Sequence, residues 1–216
     1  LFGAAGVISF VLIVVAALVS PPLWGGPSTT SSAQELADYA FPQRDRILAA
    51  LFIYALAMGF FLLFAAGLWA WLRRSEKGPG GWSMTFALGV ASASTMIIAA
   101  FAPAALAVYR PPSPLIAGLM YDLSFGLLAF SGIPTALFLA AYAVLVLRFE
   151  SLKRWTAWVA TVGAFTHIVI VGTFFCRSGF FSLEGDVIVW VPATFFAWIL
   201  VAGVALYRAV PTPDAA

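Results

Sequence analysis

Two ionisable side chains stand inside otherwise apolar runs: Asp122 in LMYDLSFGLLAF and His167 in VGAFTHIVIVGTFF. An acid within a membrane-buried helix costs on the order of 3 kcal/mol on insertion scales, so it normally turns towards a partner or a wet cavity. At about 1.5 Å per residue, Asp122 lies about 10 Å below the start of its run at Leu115, and His167 about 13 Å before Cys176. Antiparallel neighbours would carry both at nearly one depth. Gly118, Asp122 and Gly126 recur at i, i+4 and i+8, and Gly163 precedes His167 by one turn, small residues that let helices approach closely. Two readings stand. One is a proton-labile pair, or the polar end of a ligand pocket, lined by Tyr54, Tyr121 and Ser124. The other is a single interhelical hydrogen bond worth about 0.6–1.7 kcal/mol that fixes one span against the next.

Other chemistry is excluded by what the sequence lacks. Cys176 is the single cysteine, so there is no internal disulfide and no CxxC or Cys/His cluster for zinc, iron–sulfur or c-type haem. One histidine is too little for a b-type haem or a metal centre, and no metal site or covalent cofactor is expected. Lys occurs only at Lys77 and Lys153, both in polar connections, which removes a retinal-type Schiff base. No G-x-S-x-G elbow supports a serine nucleophile, and no two carboxylates share an intramembrane face. Asn is absent, and with it N-glycosylation. A net charge of +2, with the basic residues scattered to helix ends, gives no nucleic-acid surface.

The elements that must position these residues are membrane spans. Of the 216 residues, 63% are hydrophobic and 9% charged, far below the roughly 25% charge of a soluble domain. Apolar runs of spanning length are Phe2–Val19, Ile47–Leu72, Met84–Val108, Leu115–Leu147, Trp155–Phe175 and Val187–Tyr207. The expectation is an all-α bundle of six transmembrane helices forming a single domain over 1–216. The first run has no basic stretch before it and no A-x-A cleavage site after it, and is read as a retained span. The fourth is too long for a straight crossing, and Gly132 and Pro134 supply a kink near Pro134.

Orientation follows from Lys and Arg. With both termini inside, Arg73, Arg74, Lys77, Arg148, Lys153, Arg154 and Arg208 are cytoplasmic, against Arg44, Arg46, Arg110 and Arg177 outside. Trp69, Trp71, Trp82, Trp155 and Trp158 then form an inner interfacial belt, with Trp24 and Trp190 at the outer face. In the long outer connection, Ser32-Ala33-Gln34-Glu35 has the spacing of a capping box and predicts a short helix over Ala33–Ala40, with Leu36, Tyr39 and Ala40 on one face. Arg44 and Arg46, where this connection enters the second span, suit a lipid phosphate or other anion, or simply snorkel to the interface. Ser92, Ser94 and Thr95 form a polar patch in the third span that is read as packing.

The segments SAQELADYAFPQRDR, WLRR, MYDLSFGLLAFSGIPTALFLAAYAVLVLR, RWTAWVATVGAF and GFFSLEGDV, in this order, resemble a large group of six-helix actinobacterial membrane proteins of unknown function. The resemblance spans nearly the whole chain and implies a multi-pass protein of the bacterial plasma membrane. It brings no substrate or catalytic residue. The expected function is therefore a non-catalytic bundle in the lipid bilayer that binds a lipophilic ligand or packs with membrane protein partners. The alternative is a small-solute or proton-coupled transporter using Asp122 and His167.

Overall fold

The computed structural model describes residues 1–19, 26–27, 31–109, 113–183 and 185–209, with Trp24, Arg110 and Glu184 outside them. Within these, the chain is helical without strands: α1 (Phe2–Val19), α2 (Ala33–Ala40), α3 (Arg44–Ser75), α4 (Gly81–Tyr109), α5 (Pro114–Phe130), α6 (Gly132–Phe149), α7 (Arg154–Val171) and α8 (Val187–Ala209). Phe41–Gln43 and Gly172–Phe175 are single 3-10 turns. With α5 and α6 taken as one crossing, six helices are long and apolar enough to span a membrane, and the chain is a multi-pass membrane protein.

The helices stop where the sequence removes a backbone partner or supplies a cap. Ser32 accepts a hydrogen bond from the Glu35 amide at 3.2 Å, and the Glu35 carboxylate accepts from the Ser32 amide at 2.7 Å, so α2 begins on the expected capping box. The fourth run divides at Ser131. Pro134 has no N–H to offer the Phe130 carbonyl, while the Ser131 hydroxyl donates to Leu128 O at 2.6 Å. The bend therefore falls three residues before the proline, where the missing bond lies.

The six crossings close into a ring in the order α1, α3, α4, α6, α7, α8 and back to α1. Gly3 makes that closure possible, because a Cβ there would lie 2.7 Å from the Gly203 carbonyl oxygen of α8. The ring is filled by aromatic side chains. Trp198 is fully buried, with Tyr142, Phe138, Phe64 and Phe195 at centroid separations of 5.2, 5.6, 5.8 and 6.0 Å. Such pairs add about 0.5–1.5 kcal/mol each beyond their area. Trp69, Trp82, Trp155 and Trp158 instead remain exposed, as residues of an interfacial belt do. The polar patch of α4 is packing in part: Thr95 donates back to Ala91 O at 2.9 Å, while the buried Ser94 hydroxyl has no partner among the described residues.

The connection RRSEKGPGG is better fixed than its glycines suggest. Glu76 is buried, and its two carboxylate oxygens accept from the amides of Trp82 at 3.0 Å and Ser83 at 3.1 Å, the first free N–H groups of α4. A carboxylate at a helix N-terminus also meets the positive end of the helix dipole. Burial by itself raises the Glu76 pKa, but the hydrogen bonds from Ser83 and Trp82 and the Arg73 charge outweigh it and hold the group below its ordinary 4.5. A carboxylate depressed in the folded state stabilises above its ordinary pKa and loses that stabilisation as pH falls towards its folded value. Glu76→Gln is expected to lower stability at neutral pH by about 1 kcal/mol, as loss of a helix cap does. It should also flatten the acid-side fall of Tm below about pH 4.5 in detergent-solubilised protein.

Candidate functional site

The break at Ser131 shapes the interior. Below it, α6 packs closely on both α4 and α7; above it, α5 stays with α4 and touches α7 only lightly. A cavity of about 80 Å³ opens at this divergence. Its wall is almost wholly apolar and draws on every crossing: Ile13, Tyr54, Met58, Ile97, Phe101, Leu128, Ile170, Ile188, Pro192, Phe195 and Phe196, with Ser131, Thr135 and His167 as further polar members. Ile97, Phe101, Leu128 and Phe196 are only half-buried, so the cavity is not sealed.

His167 is 5% exposed. Its Nδ1 lies 2.8 Å from the Gly163 carbonyl oxygen one turn earlier on α7, and its ring stands edge-on to Phe195 at 6.0 Å. A carbonyl only accepts, so Nδ1 carries the proton and the neutral ring keeps its lone pair on Nε2. Nε2 makes no hydrogen bond among the described residues. The Thr135 hydroxyl has no partner among the described residues and is enclosed by its neighbours, with Thr135 only 1% exposed.

The sequence candidates separate into three places. Tyr54 and His167 line the cavity together. Tyr121 and Ser124 do not; they border a smaller hollow of about 30 Å³ beneath α2, beside Leu36 and Tyr39. Ser124 is occupied there as a structural donor to Ala100 O of α4 at 2.8 Å, and the Tyr121 ring packs on Phe125 at 4.6 Å. Asp122 is exposed on the outer face of α5, with no hydrogen bond or ion pair among the described residues. The expected meeting of Asp122 with His167 therefore does not occur. A row at i, i+4, i+8 drifts about 40° per step around a helix, and the buried row of α5 instead follows Ala117, Ser124, Phe125 and Ala129. Gly118 does serve close packing, but against Ala33 of α2.

Arg44 and Arg46 lie in the first turn of α3. Arg44 pairs with the neighbouring Asp45 at 2.8 Å, and both are solvent-accessible, an arrangement worth about 0–1 kcal/mol. Arg46 is exposed. Among the described residues no group of three or more His, Cys, Asp or Glu side chains is placed to hold a metal ion.

Sequence reasoning missed Thr135 and the apolar wall. The signal for Thr135 was its position one residue after Pro134, at the bend already expected. Gly132 is the residue that lets α6 approach α7, since a Cβ there would collide with the His167 carbonyl oxygen and approach Ile170 Cγ2 to 2.5 Å. Gly132→Ala is expected to force α6 from α7 and destabilise by about 1–3 kcal/mol, read as a lowered Tm in detergent. Comparisons with protein-family models, with curated proteins and with solved structures return no match, so what the cavity can hold follows from its own side chains.

Proposed function

We propose that this chain is a non-catalytic protein of the bacterial plasma membrane that holds a lipophilic ligand in the cavity where its six crossings meet. The observation that carries the reading is the cavity itself: about 80 Å³, apolar-walled, unsealed, and with a few polar groups gathered on α6 and α7. Small-molecule sites have this composition, a hydrophobic wall with few fixed polar groups. The volume is several times the roughly 10–15 Å³ that admits one water, yet small for a whole lipid, so a ligand enters end-on with its remainder between helices. Burial of its apolar part then gains about 25 cal/mol per Å² relative to water. A proton-coupled carrier has less support, because Asp122 is exposed away from the cavity and His167 has no carboxylate partner among the described residues. The bias of Lys and Arg supports termini inside, and the resemblance to actinobacterial proteins supports a bacterial membrane.

Protein purified in mild detergent without added lipid is expected to release a near-stoichiometric apolar compound on solvent extraction and mass spectrometry. Leu128→Trp, which fills the cavity, should abolish that compound while ordinary bilayer lipids remain. An identical extract from both proteins would count against the site. Orientation has its own reporter, since Cys176 is exposed and is the chain's single cysteine. A membrane-impermeant maleimide should modify it in intact cells, and labelling only after lysis would invert the topology.

A further inference from the structure

A second opening lies on the lipid-facing side of the bundle and shares no residue with the central cavity. α3 packs more closely on α1 than on α4, and the gap it leaves towards α4 is a surface groove of about 210 Å³. Buried Ala65, Phe86 and Val90 form its floor, the Phe86 ring being drawn inwards onto Phe138 and Trp198. Leu62 and Trp69 border it and stay exposed. From Leu62 to Trp69 the groove runs about 10 Å along α3, most of the roughly 15 Å of hydrocarbon in one leaflet.

The groove ends at a cation. At about 100° per residue, Arg73 falls within about 40° of Leu62, Ala66 and Trp69 around α3, one turn beyond the tryptophan. Its guanidinium reaches across to the start of α4, where a Cβ on Gly80 would lie 3.0 Å from Arg73 Cζ. Among the described residues Arg73 makes no hydrogen bond or ion pair, and it is exposed. Glu76, the acid that its charge reaches, is buried with both oxygens already taken by the Trp82 and Ser83 amides. Arg74 and Lys77 are exposed nearby in the chain, so this end of the groove carries an excess of positive charge.

We infer that the groove holds one acyl chain of an anionic phospholipid, with Arg73 binding its phosphate at the membrane surface where α3 ends. An interfacial tryptophan sits at headgroup level, so Trp69 places the Arg73 guanidinium at phosphate height. Arginine donors match phosphate oxygens in pairs, and basic side chains at the surface favour anionic lipid. A second copy of this chain is the other candidate for an apolar face, but charge opposes it. Two copies inserted in one sense pair about an axis along the membrane normal, which sets Arg73 against its own counterpart. This lipid is distinct from the ligand of the central cavity and stands whether or not that cavity is filled.

The probes are palmitoyl-oleoyl phosphatidylglycerol and the zwitterionic phosphatidylcholine with the same chains, titrated into delipidated full-length protein in mild detergent and counted lipid by lipid in native mass spectrometry. The first phosphatidylglycerol is expected to bind about fivefold more tightly than the first phosphatidylcholine, the worth of one basic side chain at a lipid surface. Arg73→Gln should remove that preference. Arg74→Gln, about 100° further around α3, should leave it. Ala66→Leu combined with Ala87→Leu, both on the groove wall, should weaken the first lipid of either kind to the level of later, unselective ones. Equal affinity for the two lipids would overturn the anionic assignment. An equal loss in Arg73→Gln and Arg74→Gln would reduce the preference to diffuse surface charge, and tight phosphatidylglycerol binding by the double leucine variant would remove the groove as its seat; either result overturns the site. A dimer that the double leucine variant converts to monomer would give the groove to a second copy and overturn the lipid assignment as well.

Discussion

In hydrocarbon, helices gain little by hiding apolar surface from solvent that is itself apolar, so they cohere through dispersion contact and through hydrogen bonds that have nowhere else to go. Fit replaces the hydrophobic drive. In this chain the fit is concentrated around Trp198, whose ring is enclosed by Phe64, Phe86, Phe138, Tyr142 and Phe195 from four helices. The Trp198 indole N–H finds no partner among the described residues. The crossings are thereby pinned in the half of the bundle that holds Trp198, and whatever geometric freedom exists is pushed to the other end.

That freedom appears at Ser131. A straight fourth helix would keep the same neighbours along its whole length; a broken one changes them. The lower half is seated between α4 and α7, with Gly132 allowing backbone contact with α7 at His167. The upper half leans on α4 through the Ser124 bond to Ala100 O and carries α2 on its outer flank. Polar side chains elsewhere join neighbouring helices, as Ser9 does to Ala57 O at 2.9 Å and Tyr142 to Thr156 at 2.7 Å. At the break itself Ser131 turns back to Leu128 O, while Thr166 beside His167 joins Thr194 of α8 at 2.9 Å. The cavity lies where α5 and α6 part company in their neighbours, α6 seated on α7 and α5 not.

Much of the fold was legible in the sequence because its causes are local. Run length against bilayer thickness located the crossings, the Ser32–Glu35 spacing located α2, and Gly132 and Pro134 located the bend to within three residues. The site was legible in part. His167 was picked out by its chemistry alone and does line the cavity with Tyr54, but facing is a property of the whole bundle. Asp122 was expected at the depth of His167 and points away from it, since depth fixes position along a helix axis and says nothing of rotation about it. Glu76 looked like an ordinary loop acid, because the two amides it caps lie six and seven residues on and meet it only once the turn has folded.

The contact of Gly3 with Gly203 joins the first crossing to the last. Synthesis proceeds from one end, so α1 enters the membrane long before the helix that completes its packing has been made. Until α8 arrives, α1 has α3 alone to lean on, with Ser9 bonded to Ala57 O as its anchor. The bundle is therefore an arc throughout elongation and becomes a ring only at the final crossing. Until α8 packs on α1, the interior stays laterally open to surrounding lipid along that seam, a wider route inwards for an apolar molecule than the gaps left in the closed ring.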